Sequence, residues 1–285
     1  MLSLRQALIL GILQGVSELF PISSLGHSII FPALLGWTID QNTNYFLTFL
    51  VATHFATAAV LFFIYRDDWA RIIRGIVRSI WWRSLAESPD AKLGWLLAVG
   101  TIPAGAIGLI FQKQLQELFA SPSFVASFLA LNGLLLYVAE VLRTRAKSGT
   151  EFQDADRRIA AEVSWRQAAR VGAMQVLALL PGFSRTGSTI AGGLMVGLAH
   201  EDALRFSFLL ATPIIGAAAA LKLPALFASG NAVAVETALL GAAGAAIASY
   251  LSVKFLTSYF KTRTLAPFAV YCLLAGLVSF ALLRR

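Results

Sequence analysis

The stretch Gln14-Gly15-Val16-Ser17-Glu18-Leu19-Phe20-Pro21-Ile22-Ser23-Ser24-Leu25-Gly26-His27 interrupts an apolar region that otherwise runs from about residue 4 to residue 36. A single helix through this region would set Glu18 and His27 near the middle of a bilayer. An ionisable side chain there costs several kcal/mol unless it faces a polar cavity. Broken backbone at that depth is tolerated only inside protein or along such a cavity. Pro21 ends a helix, because it lacks an N–H and its ring meets the preceding turn. Ser23 suits the N-cap of a new one. The region therefore predicts a re-entrant helix–loop–helix hairpin and not a span.

A second apolar region, about 165–199, is broken in the same way by Pro181-Gly182-Phe183-Ser184-Arg185-Thr186-Gly187-Ser188-Thr189. The two regions are repeats. Arg5-Gln6-Ala7, Gly11 and Gln14 recur 161 residues later as Arg166-Gln167-Ala168, Gly172 and Gln175. At the same offset Ser23 matches Ser184, Ser24 matches Arg185 and Gly26 matches Gly187. With the offset slipped to 159, Phe49-Leu50-x-Ala52-Thr53 recurs as Phe208-Leu209-x-Ala211-Thr212.

Six other stretches meet the length of about 20 apolar residues that a spanning helix needs: about 44–65, 91–111, 123–142, 203–221, 232–253 and 265–283. Of the 285 residues, 58% are apolar and 13% charged, and the mean hydropathy is +0.73. Those values exclude a disordered chain or a disulfide scaffold and weigh against a soluble enzyme. The fold class expected is an all-α polytopic membrane protein of one domain. Each half is one re-entrant hairpin plus three transmembrane helices, with repeat 1 over about 1–143, a linker over about 144–163 and repeat 2 over about 164–285. Three spans is an odd number, so the halves form an inverted repeat, an arrangement that places a site where the two breaks meet.

The net charge of +8 reflects topology and not nucleic acid. Arg66, Arg71, Arg74, Arg78, Arg83 and Lys92 crowd one connection, Arg143, Arg145, Lys147, Arg157, Arg158 and Arg166 another, and Lys254, Lys261 and Arg263 a third. Opposite loops hold little beyond Lys113 and Lys222. The rich connections are expected on the cytoplasmic side, with both termini and the entrance of the first hairpin outside. Trp69, Trp81 and Trp82 among the arginines read as an interfacial segment on anionic lipid. Met1–Leu13 is apolar with one Arg, but no small-residue cleavage site follows, so it does not read as a signal peptide. Cys272 is the single cysteine and lies in an apolar run. His200, Glu201 and Asp202 read as a solvated turn and helix start.

The few polar residues at membrane depth carry the chemistry. Gln14 and Glu18 share a helix face at i, i+4, and Ser24 and His27 share one at i, i+3. A hydroxyl, an imidazole and a carboxylate beside a helix N-terminus form a nucleophile and acid/base set. The plainer reading is a Ser-capped helix with a satisfied histidine, and the membrane penalty argues against it. In the second break, Ser184, Thr186, Gly187 and Ser188, with Ser23 and Gly26 of the first, are candidate phosphate-binding positions. There, backbone N–H groups, hydroxyls and a helix N-terminus meet an anion. Arg185 adds a planar guanidinium suited to phosphate. It also suits an ion pair with Glu18, and the two roles are compatible. The loop is not a Walker A sequence. Glu18 with Gln14 offers oxygen ligands for a divalent cation. His54 and Gln175 are supporting polar candidates.

These motifs resemble those of the undecaprenyl-pyrophosphate phosphatases, or bacitracin-resistance proteins. The first family motif, (E/Q)-x-x-x-E then P-x-S-S-x-G-H, stands here as Gln14 to His27. The second, P-G-x-S-R-S/T-G, runs from Pro181 to Gly187. The resemblance covers essentially the whole chain. It implies hydrolysis of undecaprenyl diphosphate to undecaprenyl phosphate and inorganic phosphate, which recycles a lipid carrier for cell-wall synthesis. It also implies a Mg²⁺ or Ca²⁺ requirement, roles for Glu18, Ser24, His27 and Arg185, and an extracytoplasmic site in the bacterial inner membrane. Two positions depart from the common pattern: Gln14 leaves one fewer carboxylate for metal, and Leu25 replaces a frequent threonine. His54 lies where the family often has His-Leu-Gly-Thr.

The partners expected are a polyprenyl diphosphate and the membrane, with a homo-oligomer left open and no nucleic acid. The nucleophile stays open between Ser24, with His27 as acid/base and Glu18 orienting it, His27 itself, and water. A transporter of a polyprenyl phosphate or small anion is the alternative, since inverted repeats with broken helices are transporter architecture. A phosphatase of the type-2 phosphatidic-acid class is discounted, because its Lys-x6-Arg-Pro and Ser-Arg-x5-His motifs are missing.

Overall fold

The computed structural model describes residues 2–37, 39, 43–85, 88–111, 114, 121–143, 154–228 and 232–284. Lys113, Arg145 and Lys147 of the charge argument, and residues 144–153 of the expected linker, lie outside the described residues. The elements are all helical. In chain order they are α1 Leu4–Leu19, α2 Ser24–Leu34, α3 Asn44–Ile64, α4 Arg66–Trp81, α5 Pro89–Ile110, α6 Pro122–Leu142, α7 Ala155–Glu162, α8 Trp165–Gln175, α9 Arg185–Met195, α10 His200–Ala228, α11 Ala232–Tyr259 and α12 Ala266–Leu283. A short 3₁₀ turn, Val176–Leu179, follows α8.

Six of these helices, α3, α5, α6, α10, α11 and α12, contain segments long and apolar enough to cross a membrane. The four hairpin helices are shorter. α1 has 16 residues and α2, α8 and α9 have 11 each, so none reaches the ~30 Å of a hydrocarbon core at ~1.5 Å per residue. Large side chains such as Phe63, Ile102, Leu109, Leu142, Ile247 and Val278 face outward from the spanning helices. The bilayer is the solvent that makes such a surface stable.

The repeated residues build repeated local structure. Ser3 caps α1 in a reciprocal capping box with Gln6, and Ser164 caps α8 with Gln167 in the same way. Each box satisfies two first-turn donors that the helix itself leaves unpaired. After each break the pattern returns: Ser23 Oγ accepts from Gly26 N, and Ser184 Oγ accepts from Gly187 N.

Packing repeats as well. α1 lies on α11, and α8 lies on α5, so each hairpin rests on the second spanning helix of the other half. The first spans of the halves, α3 and α10, pack together, as do the third spans, α6 and α12. Glycine makes the hairpin contacts possible. A Cβ at Gly11 would collide with the Gly241 carbonyl, and one at Gly172 with the Gly100 carbonyl. Gly11 and Gly172 are the residues that the 161-residue offset relates. Small residues at such crossings let helix backbones approach closely, which is how helices gain packing where lipid supplies no hydrophobic drive.

Two expectations need correction on the charged side of the molecule. Asp202 is not solvated. It is buried and takes two hydrogen bonds from Arg158, at 3.0 and 2.7 Å, while His200 pairs with Glu140 at 2.9 Å. The stretch 154–163 is not bare linker either. α7 packs on α5 and α10, and Arg205 of α10 binds Asp156 of α7 through two bonds of 3.0 Å and Asp68 of α4 at 2.5 Å. Arg71 joins the same group through Asp68 and Asp156. α4 packs Ile72, Gly75 and Ser79 inward and exposes Ile73, Val77, Trp81 and Trp82, as an interfacial helix does.

Candidate active site

The two breaks meet. Ser184 Oγ donates to the Phe20 carbonyl at 3.3 Å, and Thr186 Oγ1 donates to the Glu18 carbonyl at 2.9 Å. A Cβ on Gly26 would stand 3.3 Å from the Gly182 Cα. Gly182 itself is at φ +110°, with the α6 backbone where a side chain would be, so both conformation and space require glycine. Ser23 is more unusual. It is a buried non-glycine residue at φ 72°, ψ 102°, a conformation that is sparsely populated and is held only by its surroundings. Its side chain caps α2, and its carbonyl accepts from His27 Nδ1 at 2.6 Å.

The Glu18 carboxylate is the centre of the site. Its Oε2 accepts from the Ser24 hydroxyl at 2.5 Å and from Gln14 Nε2 at 3.2 Å, and lies 3.3 Å from His54 Nε2. Its Oε1 accepts from Arg185 Nη2 at 3.1 Å. His54 Nδ1 lies 2.7 Å from the Leu50 carbonyl. Both ring nitrogens of His54 thus face acceptors, and the imidazolium form satisfies both. Glu18, Arg185 and His54 together then carry a net positive charge in a buried place, and a buried charge is stable only when it is paired and hydrogen-bonded.

Sequence reasoning brought Gln14, Glu18, Ser24 and Arg185 to one site, and the structure does the same. The expected Ser24–His27 pair is not formed. The Ser24 hydroxyl goes to Glu18, and His27 Nε2 goes to the Tyr271 hydroxyl at 2.7 Å, with the two rings nearly parallel 5.7 Å apart. With Nδ1–H donated to Ser23, Nε2 of neutral His27 is an acceptor that Tyr271 fills. Nor does Glu18 orient His27, since its partners are other groups. His54, expected as support, touches the carboxylate directly. Gln175 is buried with neither amide atom hydrogen-bonded, and no bond joins it to the Glu18 cluster.

The phosphate-binding candidates divide. Ser23, Gly26, Ser184, Thr186 and Gly187 use their side-chain or amide groups to cap helices and tie the breaks together. Arg185 Nε and Ser188 Oγ are buried without a partner. The first turns of α2 and α9 also leave backbone N–H groups without intrahelical acceptors. The two helices begin at the candidate residues Ser24 and Arg185, and helix N-termini favour anions.

For a cation, the oxygen donors at hand are the Glu18 carboxylate and Gln14 Oε1, which is buried and unpartnered. Among the described residues no three His, Cys, Asp or Glu side chains are grouped to hold a metal ion. Two such side chains fit a cation that completes its shell with water and phosphate oxygens, as Mg²⁺ commonly does, and not a closed protein cage.

Two residues escaped the sequence reading. Asn132 of α6 is fully buried. It donates from Nδ2 to the Pro21 carbonyl at 3.0 Å and accepts from Ser184 N at Oδ1 at 3.0 Å. Tyr271 of α12 sits in an apolar run. Its spacing carries no signal, because its partner His27 is 244 positions away.

A family model described as "Bacitracin resistance protein BacA" matches residues 7–278. An undecaprenyl-diphosphatase of Mycolicibacterium paratuberculosis is 44% identical over 293 residues, covering 96% of this chain and 95% of its own length. Undecaprenyl-diphosphatase 2 of Chromobacterium violaceum is 46% identical over 279 residues, covering 96% of each chain. Undecaprenyl-diphosphatase 2 of Burkholderia ambifaria is 44% identical over 277 residues, covering 96% of this chain and 95% of its own.

Proposed function

The chain belongs to the bacitracin resistance protein BacA family, and from that premise we propose that the Glu18 cluster is where it acts on its lipid. It is a multi-pass membrane enzyme, an undecaprenyl-diphosphatase, that hydrolyses undecaprenyl diphosphate to undecaprenyl phosphate and inorganic phosphate. The observation that carries the site reading is the convergence on one buried carboxylate of the Ser24 hydroxyl from the first break and the Arg185 guanidinium from the second.

The terminal phosphoryl group binds between the N-termini of α2 and α9. Arg185 turns its unpartnered Nε toward it, and first-turn N–H groups add donors. Ser24 Oγ attacks the terminal phosphorus while its proton passes along the 2.5 Å hydrogen bond to Glu18, a nucleophile and its base acting as a pair. A Ser–O–P bond forms, and the P–O bond to the lipid phosphate breaks. Arg185 and the helix termini stabilise the charge that develops on the phosphoryl oxygens. Water then hydrolyses the phosphoserine. Its oxygen goes to phosphorus and its two protons leave with the phosphate, while the Ser24 O–P bond breaks and Glu18 returns its proton to Ser24 Oγ. His27 holds the strained Ser23 carbonyl next to the nucleophile and is not the base for Ser24. Glu18 and Gln14 are the residues that would hold a divalent cation, which when bound would supply charge neutralisation to the diphosphate.

The exchanged packing of the halves and the odd number of spans in each support an inverted repeat. The basic connections support a cytoplasmic placement for their side of the molecule. The first hairpin then opens to the extracytoplasmic face of the plasma membrane. Purified protein in detergent, given a polyprenyl diphosphate and Mg²⁺, tests the reading by phosphate release. Ser24→Ala and Arg185→Ala should each abolish it, and near-wild-type release from Ser24→Ala would remove the covalent step.

A further inference from the structure

We propose that Asn132 is a positioning residue, setting the separation of the two helix N-termini between which the diphosphate binds. The inference rests on the proposed site at Glu18. Asn132 is fully buried, and its amide is taken up by bonds to the two breaks and to α12. Nδ2 donates to the Pro21 carbonyl, ahead of Ser24, and Oδ1 accepts from the amide of Ser184, the residue before Arg185. The second Nδ2 proton points at Cys272 Sγ, 3.4 Å away. The orientation of the amide is forced. A carbonyl oxygen only accepts and a backbone N–H only donates, so Nδ2 must face Pro21 and Oδ1 must face Ser184.

One planar group thus holds the loop before the nucleophile and the loop before the phosphate-binding arginine. The distance between them is fixed by the amide itself. Other bonds between the breaks, from Ser184 and Thr186, run from one break to the other and move with them. Asn132 refers both to a third element. That element is firmly seated: a Cβ at Gly133 would meet Ala269 and Leu273 backbone of α12, and one at Gly276 would meet Ala126 and Ala130 backbone of α6. α12 in turn carries Tyr271, the partner of His27. The amide therefore keeps Ser24, Arg185 and the His27–Tyr271 pair in mutual register.

The test compares Asn132→Leu and Asn132→Ser with wild type by steady-state phosphate release from a polyprenyl diphosphate. Ser24→Ala and Arg185→Ala serve as controls, and every variant is checked for monodisperse elution and melting midpoint. Serine, smaller and polar, covers the case in which leucine is not accommodated. A folded variant should lose about 10²-fold in kcat, the scale of an ångström-level misplacement, with KM near the wild-type value. With the single variant Arg185→Lys measured alongside, the double variant Arg185→Lys/Asn132→Ser should lose far less than the product of the Arg185→Lys and Asn132→Ser losses, because both act on one constellation. A kcat within about threefold of wild type, or single losses that simply multiply, overturns the proposal while inactive controls leave the site reading standing. Full activity in the two controls removes the site reading and the proposal with it.

Discussion

Replacing Glu18 by glutamine removes a charge and one acceptor while keeping shape. The carboxylate receives Ser24, Gln14 and His54 on one oxygen and Arg185 on the other. A glutamine amide has one oxygen and one NH₂. With the oxygen toward Ser24, the NH₂ confronts the Arg185 guanidinium. With the amide turned, it confronts three donors. Either way a buried cation loses its counter-charge, at a cost of about 3–5 kcal/mol. Ser24 loses its proton acceptor, worth about 10²–10⁴-fold in kcat, or ~2.7–5.4 kcal/mol of barrier. Glu18→Asp separates the two effects. It keeps the charge beside Arg185 but withdraws it by one methylene from a hydroxyl now 2.5 Å away. Its melting midpoint in detergent should stay near that of wild type while phosphate release falls as steeply as in Glu18→Gln. If Glu18→Gln turns over within about threefold of wild type, the carboxylate is not the base, and proton transfer from Ser24 to Glu18 is wrong.

Tyr271→Phe deletes the hydroxyl on His27 Nε2 and keeps the parallel ring contact, so it isolates one hydrogen bond of about 1 kcal/mol. Stability should change little, while kcat should fall several-fold, measured by phosphate release; an unchanged kcat would show that the pair has no part in turnover. Gly172→Ala drives a methyl group into the Gly100 carbonyl, and Gly11→Ala does the same at Gly241. Each should lower the melting midpoint and the yield of monodisperse protein, by about 1–3 kcal/mol of overpacking, and two well-tolerated alanines would refute the close-contact account.

Much of the fold was legible because the membrane imposes a severe solvent. All six spanning helices fall within a few residues of the apolar stretches, apart from overhanging polar ends such as His200–Asp202 and Lys254–Tyr259. The breaks were legible because Pro21 and Pro181 stand beside charge where charge is penalised. An ion pair between Glu18 and Arg185 was legible only as the plainer alternative to a phosphate-binding Arg185, and the structure forms that pair. What escaped were neutral residues on distant elements. Asn132 sits among apolar neighbours in α6, and nothing in them says that its amide spans two loops. His27 was matched to Ser24 by helical spacing, but spacing does not fix a rotamer. The Ser23 carbonyl and Tyr271 take both ring nitrogens instead. Asp202 was read as solvated because a lone carboxylate near a helix start usually is. Arg158, in the short helix after residue 153, reverses that.

The reciprocal seating of the hairpins has a consequence for how the chain is made. Synthesis runs from the N-terminus, so when α8 emerges its seat, α5, has already been inserted. α1 has no such fortune. Gly11 needs Gly241, which is 241 − 11 = 230 residues later. Through most of translation the first hairpin has neighbours only from its own half, α3 and α6, and lacks the helix on which it rests. It completes its docking only as the last helices arrive. Nascent chains halted before α11 should therefore leave a cysteine placed at Ala7, which is fully buried in the complete fold and lies beside Gly241, open to a water-soluble thiol reagent. Chains released at full length should protect it. Equal labelling in both would mean that the hairpin finds its place without its partner. The interval is a built-in delay between insertion and competence, and the enzyme becomes active only when nearly the whole chain is present.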